Sequence, residues 1–340
     1  MKENKYDDER FFAVYSRMPR SVEGLRAAGE WHELKKLLPD FAGLRVLDLG
    51  CGFGWHCVYA AERGASAVLG LDISARMLER ARAHSSGWPI EYRNIALEDY
   101  EYPPEVFDVV LSSLAFHYVE DFRDLARKAA RTLRPGGAFV FSVEHPVFTA
   151  YGTQNWFYDE GGARLHWPVD RYFDEGSRRA VFLGEEVIKY HKTITTYLNG
   201  LLEAGFEIVR VVEPEPDPAL LDSMPDMRDE VRRPMMLLVS ARKNNPGRAQ
   251  FKGGASFGAR RLWLLKNSAA PKMASRSRLC RAVKRAIFVP FRQAALRLRR
   301  RKRREAGFAI HVGRRVLRGA SPEELKADMA ARFNERTSSR

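Results

Sequence analysis

Through the first 243 residues, short apolar runs alternate with apolar stripes at helical spacing. From 22 to 38, Leu25, Trp31, Leu34, Leu37 and Leu38 predict one helix, ended by Pro39-Asp40. A first strand follows at Val46, Leu47 and Leu49, then the glycines Gly50, Gly52 and Gly54, then a helix-compatible stretch over 55–63. Residues 66–71 make a second strand ending at Asp72, after which Ser74 caps a helix carrying Met77, Leu78 and Ala81 on one side. Further strands are expected at 90–93, 107–112 and 138–143. The helix over 122–133 between the last two shows Phe122, Leu125, Ala129 and Leu133 on one face and is closed by 134–137. A late helix (195–204) precedes two more strands, 206–212 and 235–240. Strands alternating with helices over short connections imply right-handed crossovers and a mostly parallel, doubly wound α/β sheet.

The glycine turn is the first piece of candidate chemistry. Glycine lacks Cβ, so backbone N–H groups and a helix N-terminus can approach a ligand closely. A dinucleotide turn asks for a third glycine or alanine where this chain has Trp55, and Asp48 at the mouth of the strand would repel a pyrophosphate. Asp48 suits a cationic ligand end instead. Asp72, 18 residues past Gly54, stands where a carboxylate can accept both hydroxyls of a ribose.

The run VLDLGCGFG, with its Asp-x-Gly-x-Gly-x-Gly pattern, resembles the first motif of the class I S-adenosylmethionine-dependent methyltransferases. The stretch 107–118 resembles that family's fourth motif in its small-molecule form, and LRPGG before the fifth strand is a further family mark. The resemblance covers about 40–243 and implies a Rossmann-like sheet of seven strands with the last antiparallel. It also implies S-adenosylmethionine as cofactor and methyl transfer to the oxygen, nitrogen or carbon of a small molecule. On this likeness the cofactor-binding residues are Asp48, Gly50, Gly52, Gly54, Asp72, Ile73, Leu97, Glu98 and Ser112, with Tyr15 and Arg20 from an N-terminal cap (1–40). Arg20 is expected at the methionine carboxylate, and Leu97 with Glu98 at the adenine. His117 and His145, each just past a sheet strand, are the candidate general bases. The insertion 146–192, rich in aromatic residues, is expected to roof the crevice as a lid.

Charge adds a second region. The net charge is +14, but residues 244–340 hold 26 of the 57 Lys+Arg and 5 of the 43 Asp+Glu, so the first 243 residues are net acidic. The extension 244–340 follows the linker-like 244–247. Within it, 281–304 reads as a basic amphipathic stretch ending in RRRKRR, a pattern that binds nucleic acid or an anionic membrane surface. Solvated or unselected sequence is the other reading of this extension, although the capping box at 321–324 speaks for a helix there. Two further functions therefore stay open beside small-molecule methylation: an RNA methyltransferase holding phosphates with its tail, and a non-catalytic S-adenosylmethionine-binding protein. Cys51, Cys57 and Cys280 form no C-x-x-C pair, so free thiols and no metal are expected. The start MKENKYDDER lacks the apolar core of a signal peptide and no long apolar run follows, which makes the cytoplasm the expected location.

Overall fold

A computed structural model of the chain describes residues 4–223 and 225–245, so the basic stretch 281–304 and the capping box at 321–324 lie outside the described residues. Three short helices come first, α1 (Glu9–Tyr15), α2 (Pro19–Glu23) and α3 (Trp31–Leu37). Then follow β1 (Arg45–Leu49), α4 (Trp55–Glu62), β2 (Ala67–Asp72), α5 (Ala75–His84), β3 (Ile90–Asn94), β4 (Phe107–Ser113), α6 (Phe122–Thr132) and β5 (Leu133–Glu144). The insertion opens with α7 (Pro146–Thr149) and holds two hairpins, β6 (Phe157–Tyr158) with β7 (Arg164–His166), and β8 (Gly176–Phe182) with β9 (Glu185–His191). The elements α8 (Ile194–Glu203), β10 (Phe206–Val212), α9 (Pro218–Ser223) and β11 (Met236–Lys243) follow.

Seven strands form one sheet in the order β10-β11-β5-β4-β1-β2-β3. Neighbours from β3 to β5 are parallel, while β11 runs antiparallel to both β5 and β10. Strand periodicity sorts the side chains between two faces. Leu47, Leu49, Val110, Phe139, Phe141 and Val143 meet Phe122 and Leu125 of α6 and Tyr197 and Leu201 of α8. On the other face Val46, Val68 and Val109 pack with Cys57 and Ala60 of α4 and with Leu78 and Ala81 of α5. Leu34 of α3 covers Leu111, Val140 and Leu238 on that same side.

Two predicted elements change shape. The helix expected over 22–38 is broken: α2 stops at Glu23, a 3-10 turn spans Gly24–Ala27, and α3 begins only at Trp31. Gly24 sits at φ +65°, and a Cβ there would come within 2.8 Å of the Trp55 ring, so contact with Trp55 overrides the helical spacing. β5 in turn starts at Leu133 instead of 138, because the pairing jumps from Phe107↔Leu133 to Val109↔Ala138 and the residues between form a bulge. Arg134 fastens that bulge to Asp108 at 2.8 Å.

Phe141 is fully buried, with ring centroids of Phe116 and Phe122 at 5.4 and 5.5 Å. Phe141→Ala is expected to lower the unfolding free energy by about 3–5 kcal/mol, read as a fall in the urea midpoint at unchanged slope. A loss below about 1 kcal/mol would show that this face collapses around the gap.

Candidate functional site

The strand order reverses between β1 and β4, the place where open α/β sheets bind ligands beyond the carboxyl ends of their strands. The glycine turn leaves β1 here and is stitched to the end of β2. The amides of Gly50 and Cys51 both donate to the Leu71 carbonyl, at 2.8 and 2.9 Å, and the Gly52 amide donates to Asp72 Oδ2 at 2.9 Å. Side chains are excluded at two positions by contact. A Cβ on Gly50 would lie 2.5 Å from the Ala115 Cβ, and one on Gly54 would lie 2.4 Å from the Tyr92 hydroxyl.

Asp72 also accepts from the Ser74 amide at 2.9 Å, and burial pushes its carboxyl up to about 6. Asp48 departs from the expected placement. It is 1% exposed, not at an open mouth, because strand alternation turns it toward α4, where the Cys57 thiol donates to its Oδ2 at 3.3 Å. Burial raises this carboxyl to about 7. It lies beneath the turn.

The N-terminal cap closes over the turn. Tyr15, Arg20, Ser21 and Ser113 line a cavity of about 60 Å³ together with Gly50, Gly52 and Trp55. Arg20 Nη1 meets Glu30 Oε1 at 2.7 Å, and Nη2 donates to Ser113 Oγ at 2.8 Å. Asp7 reaches the start of α5, accepting from Ser74 Oγ at 2.6 Å and the Arg76 amide at 3.2 Å. Tyr15 packs edge-on to Phe53 within the turn, with centroids 5.8 Å apart.

Ser112 is corrected by one position. It faces the α6–α8 layer, fully buried, and donates to the Leu49 carbonyl at 2.7 Å, so the crevice receives Ser113. The alternation of Val109, Val110 and Leu111 carried that parity. Ile73, Leu97 and Glu98 stand on the β2–β3 side, outside the cavity. Asn94 Nδ2 donates to the Ile73 carbonyl at 2.8 Å, buried Leu97 accepts from the Tyr102 hydroxyl at 2.9 Å, and the Glu98 carbonyl takes Lys128 at 2.8 Å.

Both histidines lie beyond the cavity lining. His117 is buried, accepts weakly from the Glu144 amide at its Nδ1 (3.4 Å), and is lowered by burial to about 4. His145 caps α7 by accepting from the Val147 amide at Nδ1 (3.0 Å), and its Nε2 lies 2.7 Å from Glu213. Burial holds its pKa below the ordinary histidine value. The lid hairpin is tied to this end of β5, with Lys189 Nζ 2.5 Å from Glu144 and 2.9 Å from the Gln154 side-chain oxygen. Glu30 escaped the sequence reading, since no local pattern marks an acid whose partners lie at positions 20 and 113.

Known proteins share this geometry. Residues 47–141 match the family model described as a methyltransferase domain. The fold superposes on an S-adenosylmethionine-dependent methyltransferase from Mesorhizobium loti, 48% identical, with a TM-score of 0.61 over 65% of this chain and 100% of the other. The chain belongs to the S-adenosylmethionine-dependent methyltransferases. A candidate member from Listeria monocytogenes is 58% identical, with a TM-score of 0.62 over 65% of this chain and all of that one. A Haemophilus influenzae protein without assigned function is 32% identical over 70% of this chain and 96% of its own. A ubiquinone biosynthesis O-methyltransferase from Chelativorans is 39% identical, but across 33% of this chain and 45% of that enzyme.

The cofactor of this methyltransferase is S-adenosylmethionine, and the residues present fit it. The glycine turn leaves room where Cβ atoms would clash. Buried polar atoms around it have no hydrogen-bond partner among the described residues, Asp48 Oδ1, Ser21 Oγ, Trp55 Nε1 and the Tyr92 hydroxyl among them. Asp72, half-buried at the end of β2, suits the hydroxyls of a ribose. Among the described residues no cluster of His, Cys, Asp and Glu could hold a metal, and no helix is long and apolar enough to cross a membrane.

The raised pKa of Asp48 carries a stability prediction. A folded-state value above the unfolded one means that the folded protein loses stability as pH rises from about 4 to about 7, with the full penalty above that. Asp48→Asn is therefore expected to stabilise the cofactor-free protein by on the order of 2–4 kcal/mol at pH 8, and hardly at all at pH 4, in urea unfolding at both pH values. Equal effects at the two would mean that Asp48 does not titrate between them.

Proposed function

We propose that this methyltransferase transfers the methyl group of S-adenosylmethionine to a small-molecule acceptor at oxygen, nitrogen or carbon. The observation that carries the reading is the roof over the crevice. Phe11 of α1 packs with Ala180 and Val187 of the lid hairpin, and Tyr6 meets Tyr118 hydroxyl to hydroxyl at 3.0 Å. A cap and lid packed on each other, with the cap bonded to the body at Tyr118, suit an enclosed acceptor better than a polymer.

In this reading Gly50, Gly52 and Gly54 frame the methionine part with Asp48 beneath them, Asp72 and Ile73 the ribose, and Leu97 and Glu98 the adenine. Tyr15 and Arg20 hold the amino-acid end, with Ser113, in place of Ser112, bonded to Arg20 behind it. The acceptor's lone pair attacks the methyl carbon as the carbon–sulfur bond breaks, and the departing pair stays on sulfur. Orientation of the two reactants supplies most of the acceleration. His117, neutral at physiological pH, is the acceptor-side residue, since His145 is committed to capping α7. A weakly basic imidazole favours acceptors that are already nucleophilic, such as amines or readily ionised phenols. The O-methyltransferase relatives support phenols as the first to try.

Calorimetric titration of S-adenosylmethionine into the full chain is expected to give one site, weakened about tenfold to a hundredfold by Asp72→Ala, the loss of a paired hydroxyl contact. S-adenosylhomocysteine release with a panel of phenols and amines then tests the acceptor class. Turnover with RNA but with none of the small molecules would overturn the reading.

A further inference from the structure

We propose that Glu30 is a positioning residue for cofactor binding: it holds Arg20 so that the guanidinium faces the carboxylate of S-adenosylmethionine. The inference rests on the reading of Arg20 given above and adds to it a residue that touches no ligand.

Glu30 precedes α3 and is 1% exposed. Its Oε1 takes Arg20 Nη1 at 2.7 Å and the Ser113 hydroxyl at 3.2 Å. Ser113 in turn accepts from Arg20 Nη2 at 2.8 Å and from the Ser142 hydroxyl at 3.1 Å. One proton is given and two are received, so the Ser113 hydroxyl is saturated. The network thus joins α2, the start of α3 and the ends of β4 and β5.

The count of donors on Arg20 gives the network its purpose. A guanidinium carries five N–H groups, and these contacts use two. Arg20 also lines the cavity beside Gly50 and Gly52, and three of its donors are left uncommitted by these contacts. A carboxylate accepts two of them in a fork, a geometry that rewards a fixed guanidinium plane. Burial pushes the Glu30 carboxyl up, but Arg20 and a backbone hydrogen bond together hold the group below its ordinary value, so it stays charged at neutral pH. His56, lining the same cavity, is lowered by burial to about 4 and does not compete as a cation.

The test compares two ligands that differ at one group. Full-length protein is titrated calorimetrically with S-adenosylmethionine and with decarboxylated S-adenosylmethionine. Wild type is expected to prefer the first by about tenfold or more, the worth of a charged forked contact. Glu30→Gln is expected to bring that preference below about threefold by weakening S-adenosylmethionine while leaving the decarboxylated ligand nearly unchanged. Arg20→Ala should abolish the preference as well. If wild type shows no preference, or Arg20→Ala keeps it, the Arg20 reading itself fails. If Arg20→Ala loses the preference and Glu30→Gln keeps it, or Glu30→Gln weakens both ligands equally, the positioning role of Glu30 is overturned. Should Glu30→Gln not fold, Glu30→Asp, which keeps the charge but shortens its reach to Arg20, is measured in its place, and an unchanged preference in that variant overturns the proposal too.

Discussion

The constraint on which the rest depends is the close approach between the turn after β1 and the end of β2. One carbonyl, that of Leu71, accepts the amides of both Gly50 and Cys51, and Asp72 accepts the amide of Gly52. Those bonds require a backbone without side chains at contact distance from Ala115 and Tyr92. Given that approach, α4 starts at Trp55 directly above the sheet, and the Trp55 ring becomes the surface on which Gly24 and the N-terminal cap pack. The tryptophan that argues against a dinucleotide turn is thus also a seat for the cap.

Around this turn the chain accumulates unfavourable electrostatics. Asp48 and Asp72 are carboxylates raised by burial, and a neighbouring acid raises each further, Asp72 acting on Asp48 and Asp7 on Asp72. Buried acids without full compensation destabilise a fold, so their concentration at one turn is intelligible as preparation for a cationic ligand. The neighbouring charges are arranged differently. Arg20 is matched by Glu30, and Lys189 by Glu144, so the cap and the lid each dock through an ion pair with at least one buried partner. Removing one partner of such a pair leaves the other charge buried and alone, which makes the pairs strong constraints on geometry even where their net stabilisation is small.

Lys192 shows a third solution. Its ammonium donates to the carbonyls of Val119 and Tyr190, at 2.5 and 3.1 Å, and burial brings its pKa down to about 7. It joins the exit of the lid hairpin to the loop that carries His117. The roof therefore hangs on polar contacts at its edges and on the apolar cluster of Phe11, Ala180 and Val187 between them. The same cap residues that enclose the crevice also reach the helix after β2 through Asp7.

Local pattern determined the order of the seven sheet strands and the helices between them, the glycine turn and its ligand family, the Ser74 cap and the acid at the end of β2, because each is written in neighbouring residues, whereas the two lid hairpins left no such mark. Tertiary contact decided what no period encodes. Trp55 broke the N-terminal helix at Gly24, and a register jump of the pairing lengthened β5. Alternation in β4 was present in the sequence, yet which face met the crevice depended on the layer of α6 and α8, and that put Ser113 forward in place of Ser112. Asp48 looked like a ligand at an open mouth and proved to be covered by α4. Glu30 gained its meaning only when folding brought positions 20, 30, 113 and 142 together, since a hydrogen bond acts over about 3 Å whatever the separation along the chain.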